Sequence, residues 1–495
     1  MDARLRALCD LDVPGSREGA GLHVYDGVVQ DLSPSGVAAG LAALGGPAYD
    51  DAHDEAHVAA FESRARVVYG ELALHRRNPL VHVGNLDLAC YDRAYAPAAE
   101  RAEARRRHLA AWPDAVDAAL ASLDAVPAPV AAACLGAVRG LAEGVSDPGA
   151  LAAHRRLVRH VENAAAHGDP SAALGAPGLA RLLGAGEALD VDLGALARRA
   201  GAERDRLRSM LADACARLRP GARVSALVPE LLADHPDAGG VLDEARALAV
   251  EVRAWTAEHD LVPYTDGECR VGPAPESRRW AMAMMSWAGP AEPDAPSEYH
   301  VTPPDPSWPR EEREEWLAVF SRTTLPAITV HEVAPGHFSH GRALRRAATP
   351  PRRLLLGGAF VEGWAHHVEE VAVEEGFRAA DPRFAIGVAL EALVRVTRMS
   401  CAIGLHTGAM TVGEAAARFT ADAFLRGPAA LGEAHRGTFD PTYGHYTWGK
   451  LVLRELREEA RAAWGTEFSV PRFHRAVLAL GAPPLGLLRT AVERG

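Results

Sequence analysis

The chain has 495 residues, 48% of them hydrophobic and 24% charged, with a formal net charge of −12. That composition supports a large buried core and excludes disorder throughout. The negative charge disfavours nucleic acid as a partner.

Other absences narrow the field further. The one basic run, residues 101–108, sits in an alanine-rich helical pattern and reads as a solvated helix face. The six cysteines are scattered, with no Cys-x-x-Cys, as expected for reduced thiols in a cytoplasmic protein. The opening residues lack the apolar stretch of a secretory signal, and no run approaches the roughly 18 apolar residues of a membrane span. The only lysine, Lys450, lies in Gly449-Lys450-Leu451, so there is no P-loop. A Gly-x-Ser-x-Gly elbow is also missing, as are the Glu-x-x-His pairs of a carboxylate-bridged di-iron bundle.

From about residue 35 to 262 the texture is helical, with apolar residues recurring at three and four, as in Ala98–Val126 and Val241–His259. Short turns such as Asp147-Pro148-Gly149 punctuate it. Residues 263–309 hold ten prolines, a density that excludes long helices. Two stretches there could be extended, Trp280–Trp287 and Tyr299–Thr302. They read either as a plain connector or as a strand beside a cleft that pairs with an extended substrate. Helical texture resumes at residue 310, and Thr411–Glu414 is a capping-box pattern. The expectation is a mostly α single domain over 1–495. It comprises a helical scaffold lobe (35–262), a proline-rich connector with short strands (263–309) and a catalytic helical lobe (310–495).

Five of the 21 histidines fall between residues 331 and 367. The first segment is HEVAPGHFSH (331–340), the second FVEGWAHHVEE (360–370). In a His-Glu-x-x-His motif the two histidines lie one turn apart and share a metal, with the glutamate as base. Here the second histidine is six positions on. Six residues of ideal helix rotate by about 240° net and rise about 9 Å, so an intact helix could not bring both imidazoles to one ion. Pro335-Gly336 supplies a cause for a bulge or break that would return His337 to the face of His331. In the second segment Phe360, Trp364, Val368 and Val371 form an apolar stripe, while Glu362, His366 and Glu369 form a polar one. That polar stripe faces either solvent or a metal cleft, with Glu362 as a third ligand.

Both segments resemble the DUF885 family of bacterial proteins, whose members carry a pattern close to HEAYPGHH followed by EGWALYAE. Further likenesses are the proline-rich stretch Cys269–Pro304, the segment RMSCAIGLH (398–406), and Tyr446-Thr447-Trp448-Gly449. The family is grouped with neurolysin-like, helix-rich zinc metallopeptidases, so the resemblance implies a two-lobed helical architecture with a small β element near the cleft. It implies zinc held by His331, His337 and Glu362, with Glu332 as general base. Tyr446, His406 and Arg398 match positions that face the cleft, Tyr446 being the first choice for the oxyanion donor and His406 the second. Glu369, with His366 beside it, would orient a ligand histidine. Departures fall at Phe338, His367 and Ala402, where the family has histidine, tyrosine and aspartate.

The reaction expected is hydrolysis of amide bonds in short peptides. The alternatives are a zinc enzyme of specialised metabolism that cleaves or forms a C–N bond in a small molecule, and a catalytically inactive binding protein.

Overall fold

Acidic caps decide where many of the helices start. Asp51 and Asp147 accept backbone N–H groups at the openings of Ala52–Ala65 and Pro148–His167. Asp192 and Asp237 do the same for α1 (Leu193–Leu218) and α2 (Ala238–Glu258). Each satisfies a donor that the first turn leaves free. The computed structural model describes residues 1–495 and is mostly helical. The helical texture over Ala98–Val126 resolves into two helices, Ala98–Ala110 and Trp112–Ser122, broken at Ala111 where Pro113 enters the next first turn.

The proline-rich region folds into a three-stranded sheet. Strand β1 (Cys269–Pro273) runs parallel to β3 (Ser297–Val301), and β2 (Ala283–Ser286) pairs antiparallel with the other edge of β3. The order is β1–β3–β2, leaving β2 an edge strand. Both stretches expected to be extended contain strands. β1 is additional, its ending in Gly272-Pro273 having hidden it.

Six helices follow that matter for the site: α3 (Leu325–Glu332), α4 (His337–Leu344), α5 (Gly358–Glu374), α6 (Arg383–His406), α7 (Gly427–Phe439) and α8 (His445–Trp464). The capping box at Thr411 forms as the sequence predicts and opens the helix Val412–Ala423. No helix is long and apolar enough to cross a membrane.

Packing crosses the boundary expected near residue 262. One core of 71 buried apolar residues runs from Leu179 to Ala491, and a smaller one of 23 covers Val83–Val161 and reaches Phe439. The stripe Leu196, Ala200, Leu207 and Leu211 lays α1 along α6. A fully buried leucine contributes roughly 1.5–3 kcal/mol there. Periodicity identified the helix but could not say which partner its stripe would meet.

Two devices fix α5 and α8 against each other. At their crossing Gly363 faces Gly449, and a Cβ added at Gly449 would sit 2.0 Å from the Ala359 carbonyl oxygen. Below it the fully buried Lys450 of α8 pairs with Glu203 of α1 at 3.1 Å and with Glu370 of α5. Arg206 bridges the same two carboxylates.

Candidate metal centre

The motif HEVAPGH is broken rather than bulged. Helix α3 ends at Glu332 and α4 begins at His337. Proline brings no N–H to continue α3. Gly336 then passes so close beneath the turn that a Cβ would lie 1.9 Å from the His331 carbonyl oxygen. The break brings His337 back beside His331, their ring centroids 4.7 Å apart.

Glu362, one turn into α5, completes the group. Its Oε2 lies 3.5 Å from His331 Nε2 and 3.3 Å from His337 Nε2. One ligand atom from each of the three residues falls within 4.8 Å of the others. Burial alone would raise the Glu362 carboxyl, but His337 and His331 outweigh it and hold it well below the usual range. Glu362 Oε2 is buried and makes no hydrogen bond within the protein. Two imidazole nitrogens converging on such a carboxylate are a donor set that could hold a zinc-like divalent cation.

Glu369, two turns along α5 from Glu362, carries the support. Its Oε1 accepts from His331 Nδ1 at 2.6 Å, and its Oε2 accepts from Arg395 Nη1 at 3.2 Å and from His366 Nδ1 at 3.4 Å. Burial opposes its ionisation, but Arg395 and His366 hold it well below the usual range, so it is a carboxylate. His331 must therefore donate from Nδ1, which leaves the Nε2 lone pair for a cation. Burial pushes His366 itself down to about 3, so it stays neutral.

Glu332 lines the same cavity with its Oε2 buried and unpaired. Burial pushes its carboxyl up to about 7, where a carboxyl can both take and return a proton. Tyr446 stacks 6.0 Å from His331. Its oxygen accepts from Arg436 Nη2 at 3.3 Å, so its own O–H remains available to the cavity. Burial and the Glu362 charge push the phenol up to about 12, so it is a donor at neutral pH. Arg398 also lines the cavity, gripped by Glu433 through two bonds of 2.6 Å.

His406 is elsewhere, which corrects its expected place in the cleft. Its Nε2 donates to the Gly437 carbonyl at 2.8 Å, and the ring does not line the cavity. Eight residues beyond Arg398 on α6, it lies about 12 Å further along the axis. The departures from the resembled pattern also avoid the cavity. Phe338 is buried between the guanidinium groups of Arg253 and Arg342, at 4.9 and 5.0 Å. His367 packs beside Trp364, Phe473 and His474, and Ala402 is buried within α6.

The cavity, about 280 Å³, has two unlike walls. One is the proline-rich segment, with Trp280, Met282, Trp287 and the edge strand β2. The other is α6 and α7, with Glu391, Arg395, Arg398 and Arg436. The sequence reading missed Glu391, Arg395 and Arg436. The first two share a face with Arg398 at helical spacing, a signal that was available. Arg436 had none.

The fold recurs in two solved structures. A protein from Shewanella oneidensis, provisionally described as a lipoprotein of unknown function, matches with a TM-score of 0.76 at 19% identity over 98% of this chain and 97% of its own. A protein from Colwellia psychrerythraea, given the same provisional description of lipoprotein, matches with a TM-score of 0.76 at 16% identity over 99% and 96%. No curated protein matches the sequence. Residues 14–492 match the family of bacterial proteins of unknown function designated DUF885. With nearly its whole length matched, the chain belongs to the DUF885 family.

Proposed function

We propose that the protein is a zinc-dependent hydrolase of amide bonds in short peptides. The observation that carries this reading is the convergence of His331, His337 and Glu362 beside Glu332, whose buried Oε2 has no partner. When bound there, zinc supplies Lewis-acid polarisation and lowers the pKa of a water molecule.

The residues of the chain supply the rest. Glu332 takes the proton of the attacking water at its free Oε2 and delivers it to the leaving amine, a role worth roughly 10²–10⁴ in rate. Tyr446 donates its O–H to the oxyanion, worth about 3–4 kcal/mol for one well-placed donor. Arg398 and Arg436 lie over the Tyr446 ring, at 4.9 and 5.8 Å, and hold its orientation. The free edge of β2 gives an extended peptide a main chain to pair with.

We infer kinship with the neurolysin-like, helix-rich zinc metallopeptidases, supported by the helical cavity walls and the nearby sheet. We also place the chain in the cytoplasm, supported by six free cysteines of which five are buried. Because Phe338, His367 and Ala402 lie outside the cavity, they give no separate support to small-molecule C–N chemistry.

The test joins elemental analysis to one substitution. About one zinc per chain is expected in both the parent and Glu332→Gln, with peptide hydrolysis lost only in the variant. A chain that takes up no zinc, or a variant that hydrolyses at the parent rate, overturns the reading.

A further inference from the structure

The arginine wall of the cavity is built with unused donors. Arg398 binds Glu433 through Nε and Nη2, which leaves Nη1 unbonded. Arg436 binds Asp440 through Nε and Nη2 and Tyr446 through Nη2, which again leaves Nη1 unbonded. Both residues line the cavity, and neither Nη1 is among the sealed, unpartnered atoms of the interior. Each guanidinium is thus clamped along one edge by a carboxylate, with the other edge free. A guanidinium only donates, and a pair of fixed donors suits an anion with two oxygens. Arg395 is a poorer candidate, because Glu391 stands 3.5 Å from its Nη1 and would repel an anion.

We propose that Arg398 and Arg436 bind the free carboxylate of the substrate, so that the protein acts on short peptides at their C-terminal end. This inference rests on the amide-hydrolase reading of the same site. Both guanidinium carbons lie within 6 Å of the Tyr446 ring, which itself lies 6.0 Å from the His331 ring. Those steps set an upper limit of about 12 Å from the arginines to His331, so at about 3.3 Å per extended residue the carboxylate sits within about three residues of the bond to be cut. The facing wall of Trp280, Met282 and Trp287 is apolar and favours hydrophobic side chains.

The test is calorimetric, so it needs no turnover. N-acetyl-trialanine and its C-terminal amide are titrated into the zinc-loaded Glu332→Gln protein and into the same protein without zinc. The acid is expected to bind at least about tenfold more tightly than the amide in both, a gap that Arg436→Gln should abolish and Arg436→Lys should partly keep. Equal affinity for acid and amide overturns the proposal, with no arginine variant required. So does an acid preference that a folded Arg436→Gln protein retains. Failure to load zinc would count against the hydrolase reading alone, because the comparison without metal still reports on the arginines.

Discussion

Glu369 Oε1 lies 2.6 Å from His331 Nδ1 inside a helical core where both residues are buried. The contact fixes which nitrogen of His331 faces the cavity, and Arg395 and His366 on the other carboxylate oxygen fix Glu369 in turn.

Glu369→Gln should therefore weaken zinc binding roughly 10–100-fold while the chain remains folded. Competition against a chelator of known affinity reads this directly. Affinity within twofold of the parent would remove Glu369 from any role in orienting His331.

Adjacent residues of the broken motif should respond in opposite ways. His337→Ala should abolish zinc binding at modest cost in stability. Phe338→Ala should keep the metal but cost about 3–5 kcal/mol, since it empties a fully buried site between two guanidinium groups. Zinc content and urea unfolding of the two variants separate the effects. Retention of zinc in His337→Ala would show that this histidine is not a ligand.

The crossing of α5 and α8 couples stability to the site. Gly449→Ala drives a methyl into the Ala359 carbonyl, which cannot turn aside as a side chain could. A loss of about 1–3 kcal/mol is expected, with a fall in activity as Tyr446, one turn before Gly449, shifts against Glu362. A variant that unfolds at the parent urea midpoint would show that the helices can part without penalty.

Glu187, which does not line the cavity, gives a pH dependence of its own. It is buried, its Oε2 accepts from the Leu485 N–H at 2.9 Å, and burial pushes its carboxyl up to about 7. The folded state thus holds a proton that the unfolded state has released above its ordinary pKa near 4.5. Its contribution is fully present below about pH 4.5 and is lost as pH rises through 7, a change on the order of 3 kcal/mol. Glu187→Gln should flatten this fall, which urea unfolding at pH 5 and pH 8 would show. An identical loss of stability in the variant would place the effect in other groups.

The site was legible from sequence where its chemistry is local. His331, Glu332, His337 and Glu362 were marked out by the family resemblance more than by their spacing, and Pro335-Gly336 supplied a cause for the helix to bulge or break. That Glu369 orients a histidine of the group was implied by the resemblance, and which histidine it holds, His331, came from the structure. His406 was misplaced because a motif match carries no angle, and eight residues of helix took it out of the cavity. Arg436 was invisible because it reaches the site through the packing of α7, which depends on contacts far apart in sequence. The same blindness set the expected lobe boundary at residue 262, although α1 belongs with α6.

The buried position of Lys450 has a practical side. With its ammonium enclosed between Glu203 and Glu370, the folded chain offers no lysine side chain to amine-reactive reagents. Acylation of that one side chain, read on the peptide that carries it, becomes a chemical clock for the separation of α1, α5 and α8.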